Sequence, residues 1–150
     1  MDNKFKNISN VFTKSILNKE LEVNKIEKEN LSSIINLICT EEEDCLKLLN
    51  VELNIYFEEK KKLINSVLKN QNNTEALINS NFLFIASKQE LEYFLDLLLL
   101  SYPHLSVKLI KILYSKYGEE ILENLIIDEN VKLRLTAAYL LFNFEQIDLI

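Results

Sequence analysis

Glycine and proline are almost missing, with one of each in 150 residues, against roughly 7% and 5% in ordinary chains. A β-sandwich or barrel needs such residues at its many turns, for positive φ or for a preset bend. That class is excluded, and an all-α chain joined by short polar turns is expected. A lone glycine, Gly118, also leaves no material for a glycine-rich phosphate loop or a Gly-x-Ser-x-Gly nucleophile elbow. Tryptophan is absent and arginine occurs once, at Arg134.

Histidine is as scarce. His104 stands alone, which removes acid-base and metal arrangements that need two imidazoles. Position 101 is serine, so the Glu-x-x-His spacing of carboxylate iron sites fails. Cys39 and Cys45 are spaced C-x5-C, outside the common zinc and redox spacings, and read as two buried thiols of a reducing, cytoplasmic setting. The N-terminus, MDNKFKNISNVFTKSILNK, has no apolar core of a signal peptide. The most apolar run, LEYFLDLLLLSYP, carries Glu92 and Asp96 and is too short to cross a bilayer. No catalytic residue, metal site or cofactor is assigned, and neither a membrane nor a nucleic acid is expected as partner.

Acidic residues are present in excess. The net charge is −6, which disfavours phosphate-backbone binding. From Glu41 to Glu59 seven acids face only Lys47, and from Glu90 to Glu129 eight acids face Lys108, Lys111 and Lys116. Four of them are consecutive, at 41–44, and suit a helix N-terminus, where carboxylates oppose the macrodipole. Consecutive helical residues do not converge on one ion, so this run is not a metal site.

Apolar residues recur at helical spacing throughout, without the strict alternation of strands. A first helix carries Ile8, Val11, Phe12, Ile16 and Leu17 and continues towards Leu21; a second carries Leu31, Ile34, Ile35 and Ile38. Thr40 with Glu43 has capping-box spacing and opens a short third helix through Leu46, Leu49 and Val51. A longer helix from Ile55 to Leu68 ends in the polar break KNQNN, after which Thr74 caps a helix bearing Leu77, Ile78, Phe82 and Ile85. Ser87 with Glu90 repeats the capping box; Pro103 and Gly118 bracket the helix of Leu105, Leu109, Ile112 and Leu113. The final helices are expected over 119–127 and from Val131 to about Phe144. With no long linker, the 150 residues form a single domain of short antiparallel helices, an α-solenoid or an irregular bundle.

On the helix that starts at Val131, advancing about 100° per residue puts Arg134 inside the apolar arc, between Leu141 and Ala138. A guanidinium there needs a carboxylate, and Asp128, in the preceding turn, is the nearest. The pattern Asp128, Asn130, Val131, Leu133, Arg134, Ala137, Ala138 and Leu141 resembles the turn and second helix of a HEAT repeat. The resemblance covers 118–144. A degenerate copy lies 26 residues upstream, where Pro103, Leu105, Val107 and Lys108 align with Glu129, Val131, Leu133 and Arg134. It implies HEAT-like helical hairpins over 74–150, with 1–73 as diverged repeats or a separate bundle, and it makes Asp128 and Arg134 a structural ion pair. The iron hydroxylases built on such repeats use paired His-Glu motifs, whereas Leu105 follows His104 here. A calcium loop at Asp128, Asn130 and Lys132 fails because Leu133 takes the glycine position.

These features lead to a non-enzymatic protein-protein interaction module. A small acidic inhibitor or immunity protein that neutralises a basic toxin or nuclease fits the charge, with Glu58, Glu59, Glu119, Glu120, Glu123 and Glu129 as candidate partner-binding residues. The alternative is a structural or adaptor subunit that docks in a larger assembly through an apolar helical surface, for which the C-terminal FEQIDLI offers Ile147, Leu149 and Ile150.

Overall fold

The computed structural model describes residues 3–118, together with Glu120, Glu123, Ile127, Arg134 and Ala138. The described chain is all-α, with no strand. The contacts divide it into two compact units, Met1–Phe94 and Leu95–Ile150.

In the first unit, α1 (Asn3–Leu17) stops short of Leu21. Lys19 takes φ 61°, its N–H reaches the Ile16 carbonyl at 3.1 Å, and the Glu20 N–H reaches Ser15 at 2.9 Å. This pair of backward hydrogen bonds is the Schellman closure, which needs a left-handed residue. A lysine fills the place usually given to glycine.

In α2 (Lys28–Ile38), Leu31, Ile35 and Ile38 form one buried stripe. Thr40 does not cap the next helix: its hydroxyl donates to the Leu37 carbonyl at 2.7 Å, and Glu41 takes the N-cap position without a side-chain cap. The first turn of α3 (Glu42–Leu49) contains Glu42, Glu43 and Asp44, where the helix dipole favours them.

Residues 52–56 belong to no helix, and α4 (Phe57–Val67) begins later than the apolar spacing implies. In α5 (Gln71–Ile78) the cap is Asn70, whose side chain accepts from the Asn73 N–H at 3.1 Å. Thr74 instead lies buried inside α5 and donates back to the Asn70 carbonyl at 2.9 Å. The helix expected to carry both Ile78 and Phe82 is broken into α5 and the single turn α6 (Phe82–Ile85).

The capping box at the start of α7 (Lys88–Ser101) forms in both directions. The Glu90 N–H donates to Ser87 Oγ at 3.1 Å, and the Ser87 N–H donates to Glu90 Oε2 at 3.2 Å. Each of α1 to α3 packs on both the next helix and the next but one, so that α1 touches α2 and α3, α2 touches α3 and α4, and α3 touches α4 and α5. Leu48, Leu49, Leu63, Ile64 and Val67 are fully buried in this stack, and Phe82 meets Phe94 edge-on at 5.9 Å.

In the second unit Pro103 begins a 3-10 turn, Pro103–Leu105, which packs on α8 (Ser106–Tyr117). Gly118 closes α8 at φ 82°, its N–H on the Tyr114 carbonyl at 2.8 Å. Leu109, Ile110 and Leu113 are its buried face.

Candidate partner-binding surface

The acids between Glu41 and Glu59 have separate fates. Asp44, 3% exposed, accepts the Ser9 hydroxyl at 2.7 Å across 35 residues. Glu42 accepts from the Asn73 side-chain amide at 2.7 Å, tying α3 to α5. Glu59 is 4% exposed and holds Lys62 at 3.1 Å, which removes it from any outward surface. Glu43, Glu52 and Glu58 are exposed, and among the described residues no cation stands within ion-pair distance of them.

The three consecutive lysines at 60–62 each make a different intramolecular contact. Lys60 is buried against Glu90, Nζ to Oε1 3.4 Å. Lys61 lies over the rings of Phe57 and Tyr93, at 4.7 and 5.3 Å from their centroids. Lys62 bonds Glu59 and, at 2.8 Å, the Ser32 hydroxyl. All three cations make intramolecular contacts, and none forms an ion pair with Glu58 on the same helix. In the second unit Glu120 and Glu123 are exposed, and Arg134 is half-buried on a helical residue. Glu119, Glu129 and Asp128 lie outside the described residues, and with them the Asp128–Arg134 pair.

The pairing of buried Lys60 with half-buried Glu90 is a feature that charge-based sequence reading misses. Its signal was present: Lys60, Leu63, Ile64 and Val67 follow the i, i+3, i+4, i+7 spacing of a core face. The pair borders a cavity of about 430 Å³ whose wall includes Leu49, Phe82, Ala86 and the Val51–Asn54 segment. The same segment also borders a second hollow of about 650 Å³, lined by the end of α1 and Val23.

Cys39 and Cys45 come together where α2 hands over to α3. Cys45 is fully buried, with its Sγ 3.6 Å from the Ile38 carbonyl. The hydrogen bond with Cys45 and then burial push the Cys39 thiol well above the ordinary thiol range. The Ser66 hydroxyl pins the Cys39 carbonyl at 2.9 Å. These contacts make a packed junction of α2, α3 and α4. Among the described residues no three His, Cys, Asp or Glu side chains group as metal ligands, and no helix is long and apolar enough to cross a membrane.

No protein-family model matches the chain, and neither curated proteins nor solved structures give a significant match.

Proposed function

We propose that this protein is a non-enzymatic binding module of HEAT-like helical stacking, a small acidic inhibitor or immunity-type protein that engages a basic protein partner. The observation that carries this reading is the set of exposed carboxylates Glu43, Glu52 and Glu58, none of which is held in an ion pair among the described residues. Such a field accelerates encounter with a basic surface and discriminates against acidic ones. The solenoid part of the reading is supported by the contacts of α1 to α3 with their next and next-but-one neighbours, the local packing by which stacked helical repeats bury a continuous core. Exposed Glu120 and Glu123 extend the acidic character to the second unit.

The test is affinity capture by the tagged chain at low and moderate salt, with Glu43→Lys/Glu52→Lys/Glu58→Lys in parallel. One basic protein retained near one-to-one, released by salt and by the reversals while circular dichroism is unchanged, upholds the reading. Retention indifferent to both overturns it. A second reading, a subunit that docks through apolar surface, is favoured by Phe84 at 62% exposure and by exposed Leu100 and Ile127. Several proteins held regardless of salt, and lost in Phe84→Ser, would select it.

A further inference from the structure

We infer that the hollow beside Val51–Asn54 is the seat for an extended segment of the basic partner, gripped through its peptide groups by Lys60, Glu90 and the main chain of Glu52 and Asn54. This deepens the reading above and rests on it. The first observation is an ion pair that does not complete its own hydrogen bonding. Lys60 is 7% exposed, and its Nζ has Glu90 Oε1 at 3.4 Å as its sole partner among the described residues. That is longer than a charge-assisted hydrogen bond, which lies at about 2.7–2.9 Å, and Glu90 Oε1 accepts no hydrogen bond from the protein. Charges this deep are stable when their remaining donors and acceptors are filled.

The second observation is the adjacent main chain. Between Glu52 and Asn54 the Leu53 carbonyl accepts from the Ile55 N–H at 3.1 Å, and no other backbone bond involves these three residues among the described ones. Glu52 and Asn54 are exposed and Leu53 is half-buried, and the Leu53–Ile55 bond turns the chain at Asn54. Both observations border the same cavity of about 430 Å³.

Complementarity then selects the occupant. An anion would satisfy Lys60 but meet the charge of Glu90, and a cation the reverse. A peptide group carries one donor and one acceptor side by side, so its carbonyl can take Lys60 while an N–H gives to Glu90 Oε1. Further peptide groups of the segment pair with the unengaged main chain of Glu52 and Asn54. One side chain of the segment must be apolar, to lie against Leu49, Phe82 and Ala86. Its neighbour in sequence points the other way, past exposed Glu52, where a lysine or arginine is favoured.

The experiment titrates the ¹⁵N-labelled full chain with Ac-Lys-Leu-Lys-Val-Lys-Leu-NH2, the same peptide N-methylated along its backbone, and a version with serine for lysine. The inference expects saturable shifts at the amides of Leu53, Asn54 and Ser87. It also expects affinity about tenfold lower for the N-methylated peptide, the worth of one good hydrogen bond to a charged group. Lys60→Met/Glu90→Gln, which leaves no buried charge unpaired, gives a similar loss with circular dichroism unchanged. No shifts at these amides, or equal binding of the N-methylated peptide, overturns the seat. If the reversals of Glu43, Glu52 and Glu58 abolish capture while no peptide shifts these amides, the seat fails and the acidic-surface reading stands. If the serine peptide binds there as tightly as the lysine peptide, the seat stands and the basic-partner reading fails.

Discussion

Lys19 occupies a backbone conformation that glycine would hold at less cost. Its φ of 61° places Cβ near the carbonyl oxygen, at a cost of about 1–2 kcal/mol for an L-residue. A chain with a single glycine has spent it elsewhere, at the end of α8. Replacing Lys19 with glycine is therefore expected to stabilise the fold by about 0.5–1 kcal/mol, seen as a higher urea midpoint at unchanged slope. The two cysteines give a second residue-scale expectation. Because the Cys45 contact and burial raise the Cys39 thiol, the folded chain keeps a proton that the unfolded chain sheds above pH about 8.5. Cys39's own contribution to stability is complete below that pH and declines as pH rises towards the folded value, while Cys45, lowered by the same contact, contributes in the opposite sense. Iodoacetamide at pH 8.5 should label the native chain far more slowly than the urea-unfolded chain.

At the scale of the helices, caps separate what sequence spacing determines from what it does not. Ser87 and Asn70 make cap hydrogen bonds, and alanine at either should cost about 1 kcal/mol. Thr40, with the same local spacing as Ser87, bonds backward to Leu37, and Thr40→Ala should cost clearly less in the same urea series. The helical class, the positions of α2, α3, α7 and α8, and the Ser87–Glu90 box were legible because periodicity and caps act within one turn. The end of α1 was not, since a lysine in a left-handed conformation carries no compositional mark. Nor was the break before Phe82, where the Ser80 hydroxyl folds back onto the Leu77 carbonyl at 2.6 Å. Among the candidate partner residues, Glu58 is exposed, while Glu59 one step along is buried and turns to Lys62. Adjacent helical residues differ by about 100°, and charge alone does not say which one meets the core. Lys60 escaped notice for the same reason.

For the whole molecule, a net charge of −6 governs approach more than grip. Exposed charges outside the contact act over about 10 Å at 0.1 M salt, so raising salt should slow association with a basic partner several-fold while dissociation changes little. Stopped-flow mixing with the captured partner separates the two rates. The Val51–Asn54 segment adds a different property. It is a covalent strap between α3 and α4, which already pack closely on each other, and Glu52 on it is exposed. A glutamate-specific protease that nicks after Glu52 should leave two fragments that remain associated through size-exclusion chromatography. Separately produced, the pieces 1–52 and 53–150 should find each other and refold together, which makes this strap the natural place to divide the protein into complementing halves.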